Sequence, residues 1–211
     1  SLARQLVRAE KTSSIKACLY GPVSPAATNR HSWGFWATQG LKEQTELARQ
    51  RWHKWQIITS ERKVTQTADS HPYCRLDSRD WLTHCLNIID GNIQQEPDSL
   101  PTPGAQPVFD SRPPNVPDGA MLQHFKGVEI KAAQPCFSPD TAILMDFRCD
   151  QSRGIHFIYL LPYSPTEALV ESTMLSPKRQ NDEFYAEAIK TYLATYWATG
   201  GWQVNHTEQG C

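Results

Sequence analysis

Glu171 stands near the end of FIYLLPYSPTEALVEST, residues 157–173, a stretch that otherwise reads as two apolar strands around a tight turn. Strand alternation sends Leu169, Glu171 and Thr173 to one face and Ala168, Val170 and Ser172 to the other. An unpaired charge is costly to bury, so this glutamate is either solvated or ion-paired at an edge, or it is kept protonated. In the second case desolvation raises the carboxyl pKa toward neutrality, which makes a glutamate a general acid for a greasy substrate. Asp146, in TAILMDFR, poses the same question. Ala142, Leu144 and Asp146 share a face by alternation, and Arg148 on that face makes a structural ion pair the plain alternative. Two carboxylates on neighbouring strands of one sheet could divide labour, one keeping a proton while the other stays charged.

Asp110 and Arg112, in VFDSRP, fall where a short apolar strand is expected to end in a loop. Ligands bind at strand ends of α/β sheets, and an arginine there can hold phosphate, which makes the pair a candidate cofactor contact. A turn aspartate beside a surface arginine is the alternative. The seven histidines show no H-x-x-x-H or H-E-x-x-H spacing, the six cysteines no C-x-x-C, and no G-x-S-x-G occurs. Metal hydrolysis and serine chemistry are therefore set aside, with no metal ligands assigned.

The elements that must position these residues follow from periodicity. Leu2, Leu6 and Val7 share a helical face in SLARQLV, and IKACLY at 15–20 reads as a short buried strand stopped by Gly21 and Pro22. HSWGFW and RWHKW hold four of the seven tryptophans around a polar helical stretch, LKEQTELARQ. Tryptophan at this density is chiefly core or interface. SRDWLTHCLNII reads as a helix with Ser78 as N-cap and Trp81, Leu82, Cys85 and Ile88 at helical spacing. The proline-rich run from about 92 to 119 reads as a domain crossing, interrupted by one short strand, PVFD. Beyond it QHFKGVEIKA, TAILMDFR, GIHFIYLLP and ALVEST predict an antiparallel meander with at least one hairpin. NDEFYAEAIKTYLATYWATGG then predicts a long helix. Asn181 is its N-cap, acids fill the first turn, Tyr185, Ile189, Tyr192 and Tyr196 form a stripe, and Gly200–Gly201 are the stop. The closing HTEQGC carries no expected structure.

The chain has 211 residues, 39% of them apolar, which is enough for a real core in one large domain or two small ones. A formal charge of −1 without a basic run gives no footprint for a nucleic-acid backbone. No window approaches the roughly 18–20 apolar residues that a bilayer span needs, so membrane contact would be peripheral. No secretory signal is visible, and a start at Ser1 in a helix already under way reads as an internal piece of something longer. The scattered cysteines read as reduced thiols.

MLQHFKGVEI at 121–130, AILMDFR at 142–148 and FIYLLPYSPTEALVEST at 157–173 come in the order and at about the spacing seen in flavoprotein lycopene cyclases. VFDSRPP at 108–114 and HSWGFW at 31–36 resemble further segments of that family. The resemblance extends over most of the chain; the hairpin ending in LVE is its most specific element and LMDF the second. It implies an α/β, overall α+β, fold. Residues 1–112 would be a partial Rossmann-type FAD-binding region with an inserted Trp-rich segment, and 113–211 a substrate-binding antiparallel sheet with a long C-terminal helix. SLARQLV would be the first helix of the dinucleotide fold, and HTEQG the point preceding a cofactor-contacting region.

The implied activity closes the end groups of lycopene into β-ionone rings, a redox-neutral isomerisation assisted by reduced FAD, with NAD(P)H as possible reductant in the intact protein. Glu171 matches the essential glutamate of the LVE motif, as proton donor or cation stabiliser, and Asp146 matches the acid of the MDF motif. Phe157, Tyr159 and Tyr163 could face the substrate and stabilise a cation through their rings, packing being their plainer role. The resemblance further implies a carotenoid substrate and peripheral attachment to the cytoplasmic face of a bacterial membrane or to a plastid membrane. Two departures stand out. Ser172 follows Glu171 where relatives often carry a second acid, and Tyr20-Gly21 occupies the place of the ribose-binding acid. A flavin-dependent reductase or monooxygenase of the same fold, or a non-catalytic carotenoid- or lipid-binding protein, are the competing readings.

Overall fold

The computed structural model describes residues 2–10, 18–20, 30–89, 94–96, 108–111 and 115–211, and the chain divides into two compact units. One comprises Ser1–Trp33 and Leu76–Asn115, the other Gly34–Arg75 and Val116–Cys211. This corrects the expected boundary near 112. Residues 34–75, expected with the dinucleotide region, belong to the sheet unit, because they supply strands to its sheet and tryptophans to its core.

In the first unit, helix α1 (Leu2–Glu10) and helix α3 (Ser78–Ile89) accompany a parallel pair of short strands, β1 (Cys18–Tyr20) and β7 (Gln94–Glu96). Arg4 of α1 lies 4.7 Å over the Trp81 ring. Helix α3 begins at the expected residue, but its cap is Asp77, whose Oδ1 accepts from the Arg79 N–H at 3.0 Å. The Ser78 hydroxyl instead accepts from the His31 N–H at 2.9 Å. Trp81, Cys85 and Ile89 form the buried stripe, four residues apart as one helix face requires.

The second unit is built on a seven-stranded sheet in the order β12–β8–β11–β10–β9–β4–β5. Its strands are β4 (Lys54–Ile58), β5 (Lys63–Thr67), β8 (Leu122–Ala132), β9 (Thr141–Asp146), β10 (Ile155–Pro162), β11 (Glu167–Ser176) and β12 (Trp202–Gly210). Strands β9, β10 and β11 form the expected meander, but β8 pairs with β11 rather than β9. Strand β4 lies parallel to β9, so the sheet is mixed. The closing segment, expected to be without structure, is strand β12, paired with β8 from Trp202 to Gly210. Strand β3 (Gln50–Trp52) pairs with residues 73–75 of β6 (Tyr73–Asp77), in a three-stranded sheet with residues 34–36 of β2 (Ser32–Trp36). The expected helix in LKEQTELARQ shrinks to α2 (Lys42–Glu46), and residues 108–110 form no strand.

Helix α4 (Asp182–Tyr196) covers one face of the large sheet. Asn181 caps it, its side chain accepting from the Phe184 N–H at 3.2 Å. Ile189, Tyr192 and Leu193 bury against Val128, Ile130, Ile158, Leu160 and Val170. The helix ends at Tyr196, ahead of the glycines; Gly200 and Gly201 take positive φ of 64° and 102° in the turn into β12, a backbone that glycine adopts without strain.

Candidate functional site

The β10–β11 hairpin keeps the alternation read from the sequence. Ile158, Leu160, Ala168 and Val170 face α4, while Leu161 and Leu169 join Trp52, Ala142 and Leu144 on the other face. Glu171 is on that second face, cross-strand from Tyr159 on β10 and from Gly127 on β8. Around it stand Phe157 and Tyr159, with ring centroids 5.3 Å apart, and Phe147, 5.7 Å from Phe157. Trp36, Trp52, Trp55 and Tyr73 form an aromatic group beside the same core, Trp36 lying 5.1 Å from Tyr73 and 5.6 Å from Trp55. Gly34 packs directly against the Tyr73 hydroxyl, where any side chain would overlap it.

Glu171 accepts a 2.6 Å hydrogen bond from the Thr173 hydroxyl. Burial pushes its pKa up to about 7; the Thr173 bond works against this and the nearby Glu208 carboxylate adds to it. The carboxyl therefore keeps a proton up to near neutrality, well above the range of an ordinary glutamate, as a general acid requires. Burial, and then the charge of Glu171, also push up the Tyr159 hydroxyl, which stays neutral.

Asp146 is on the opposite face. Between β9 and its neighbours the register shifts: Ile143 pairs with Leu160 and Gln56, but Asp146 pairs with Ile158 and Ile58. One extra residue in β9, a β-bulge, thus turns Asp146 away from Ala142 and Leu144 toward α4. There, fully buried, it accepts from Arg148 Nε at 2.9 Å, Arg148 Nη2 at 2.6 Å and the Tyr192 hydroxyl at 2.9 Å. This corrects the expected division of labour. The two acids do not share a face, and strand β10 separates their strands. Asp146 is a structural clamp between the sheet, Arg148 and α4.

The other candidates divide similarly. Phe157 and Tyr159 join Glu171. Tyr163 is held aside: its hydroxyl donates to Glu129 at 3.1 Å, and the Arg75 guanidinium, 2.6 Å from Glu129, lies 4.3 Å over its ring. Asp110 is exposed in a segment without regular structure, so the strand-end argument for a cofactor contact fails there. Arg112 lies outside the described residues. Ser172 points to the α4 face, where its hydroxyl is 2.8 Å from His156 Nε2. An acid at that position would not reach Glu171. Neither of the two pockets described, about 440 and 290 Å³, is lined by Glu171.

Sequence reasoning missed three groups at this site, Glu208, Gly127 and Tyr73. Glu208 lies on β12 cross-strand from the same Gly127. The alternation Trp202, Val204 in a polar segment was its only trace.

Comparison with known proteins bears on the same region. The model of the family described as lycopene cyclase protein matches residues 100–210, just over half of the chain. A lycopene beta-cyclase of Paracoccus sp. is 38% identical over 81 residues, 38% of this chain and 20% of that protein. The lycopene beta-cyclase of Pantoea ananas is 33% identical over 112 residues, 51% of this chain and 28% of that protein. The chain thus spans under a third of the length of these relatives. In fold it resembles a geranylgeranyl bacteriochlorophyll reductase-like protein of Thermoplasma acidophilum, with a TM-score of 0.66 at 10% identity over 99% of this chain and 62% of that one. It also resembles 2-methyl-3-hydroxypyridine-5-carboxylic acid oxygenase, with a TM-score of 0.53 at 11% identity over 100% of this chain and 68% of that one.

Proposed function

Because this chain belongs to the lycopene cyclase family, we propose that the protein it represents closes the end groups of a linear carotene, with Glu171 as the acid that starts the reaction. The observation that carries this reading is the placement of Glu171 among Phe157, Tyr159 and the sheet's apolar face, bonded to a hydroxyl rather than to a cation, where burial pushes its pKa up to about 7.

Protonating an alkene requires an acid that still holds its proton, shielded from water and close to the carbon that accepts it. The Glu171 O–H bond breaks, the π electrons of the terminal alkene form the new C–H bond, and positive charge appears on the neighbouring carbon. A second alkene supplies electrons for the ring bond, and loss of one proton to a base restores neutrality. Substrate and product are isomers, so no electrons are gained or lost. The carboxylate left on Glu171 and the faces of Phe157 and Tyr159 lower the energy of the cation. Thr173 orients the acid.

FAD is the cofactor that the resemblance implies, and it would lend electron density to the cation. The chain contains no G-x-G-x-x-G and Asp110 is an exposed loop residue, so the described residues do not compose a dinucleotide site. No step here runs through the flavin. Among the described residues no helix is long and apolar enough to cross a membrane; we place the protein at a membrane surface, where so apolar a substrate resides.

The test is Glu171→Gln in the intact gene, expressed in cells that accumulate lycopene. A cyclase loses conversion by a factor on the order of 10² or more, the scale of a general acid's contribution, and leaves the red precursor. Equal pigment from both genes rejects the reading and favours a carotenoid carrier.

A further inference from the structure

Glu171 stands at one end of an apolar row that crosses the sheet from strand to strand. Beside it on β10 is Tyr159, which faces the bulge of β9. At that bulge Met145 pairs with Ile57 of β4, and Ile57 pairs in turn with Val64 of β5. Directly paired residues share a face of a sheet. Trp55, two residues before Ile57, packs with Leu161 and Leu169, so Met145, Ile57 and Val64 lie on the Glu171 face. Strand β5 is the edge of the sheet, four places from β11, which makes the row ~19 Å long at the usual spacing of strands.

The row stays open where its neighbour is closed. Leu169, Leu161 and Ala142, one row along, are buried with Trp52. Tyr159, Met145 and Ile57 are only half-buried, and Val64 is 53% exposed. Aromatic rings stand on both flanks, Trp55 with Trp36 on one and Phe157 with Phe147 on the other. The bulge keeps charge off this face: strict alternation would put the Asp146 carboxyl beside the row, whereas the extra residue brings in Met145, a flexible apolar side chain. Toward β8 the row stops. Gly127 faces Glu171 without a side chain, and Glu208 Cγ and Leu169 Cδ1 close over it, 3.2 and 3.3 Å from where a Cβ would be.

We propose that this row is the track of the substrate chain: a linear polyene lies across the strands with its end group at Glu171, passes over Tyr159, Met145 and Ile57, and leaves the sheet at Val64. This rests on the reading of Glu171 as the acid. A conjugated hydrocarbon offers no polar group to hold, so apolar area and ring faces must bind it. Between Glu171 and the edge the row supplies both and carries no charge. It is also straight, as a rigid chain requires, because paired residues line up across a sheet. A chain laid along β11 instead would run into Leu169 and Thr173, which are both buried. At the far end the edge strand leaves room for a chain longer than the sheet is wide.

The experiment sets a charge on the track and the same charge one residue away on the other face. Val64→Asp does the first in the intact protein. Thr65→Asp does the second, on the same edge strand but cross-strand from Gln56. Both positions are exposed, so neither change burdens the core. Binding of lycopene, presented in detergent micelles, is titrated by quenching of tryptophan fluorescence in a Glu171→Gln background, where bound substrate is not consumed. Val64→Asp is expected to weaken binding roughly tenfold, the scale on which an apolar site discriminates, and Thr65→Asp to leave it unchanged. With Glu171 present, Val64→Asp should raise KM by a similar factor and keep kcat, since the contact is the same in ground and transition state. Equal effects of the two variants, or none from either, overturn the proposal. Should Glu171→Gln still cyclise lycopene, the reading of Glu171 as the acid fails, yet the KM comparison of the two variants still decides where the chain lies.

Discussion

An acid held neutral in an apolar sheet is a liability to the fold, and that liability is measurable. Glu171 has a folded pKa near 7 against an ordinary carboxyl value of 4.5. Between these values the folded state binds more protons than the unfolded, so stability falls as pH rises. The contribution is intact below 4.5 and lost as pH passes through 7. Glu171→Gln, which mimics the neutral acid, should therefore stabilise the intact protein by on the order of 3 kcal/mol at pH 8 and by little at pH 5. Chemical denaturation of both forms at the two pH values checks this. Together with lost turnover, it separates a strained functional group from a merely structural one. Glu171 was legible in the sequence because alternation along one strand is a local property. Glu208 was not, because its strand is polar and its partner lies on β8, some 80 residues earlier.

At the scale of elements, the decisive feature is the bulge in β9. It turns Asp146 to the α4 side, where Arg148 and Tyr192 satisfy it. Asp146→Asn is expected to destabilise the fold by about 3 kcal/mol, the scale of breaking a buried charge pair, while leaving the pH profile of turnover where it was. Thermal melts and a pH–rate series test both halves. The same side of the sheet holds α4 through two buried histidines. His156 donates from Nδ1 to the Asp150 carbonyl and accepts at Nε2 from Ser172. His124 lies between the Tyr185 hydroxyl, at 2.6 Å, and Ser176. Burial lowers both pKa values below the ordinary histidine value of 6.5. The unfolded chain then binds more protons, so their contribution is complete above 6.5 and is lost as pH falls below it. In a Glu171→Gln background, where the opposing proton uptake at 171 is absent, melting temperature should drop from pH 7 to pH 5, and adding His156→Asn should flatten that drop. An equally steep drop in the variant would remove His156 from the account.

The whole molecule joins two units of different character. A parallel strand pair with helices makes up the described part of one, and a mixed sheet backed by one long helix makes up the other. A cyclase and a flavin-dependent reductase of the same fold differ at this scale in stoichiometry. The intact protein is expected to convert lycopene with no net consumption of NAD(P)H beyond an initial priming amount. Consumption of one reductant per product, read by absorbance against pigment formed, would identify a reductase.

What the sequence by itself determined lies within single, strongly periodic elements. The faces of the hairpin at 155–176, the span of α3, the Asn181 cap and the burial of Tyr185, Ile189 and Tyr192 on α4 follow from side-chain period and capping chemistry over a few residues, whereas Tyr196, read into the same stripe, is exposed and Leu193 is buried instead. Tertiary structure alone decided which strands became neighbours, where β9 gained its extra residue, and that residues 34–75 join the sheet unit. The reason is that strand order and register depend on contacts between distant segments, which no local period records. A one-residue bulge therefore separated Asp146 from Glu171, and the pairing of β8 with both β11 and β12 put Glu208 on the Glu171 face instead.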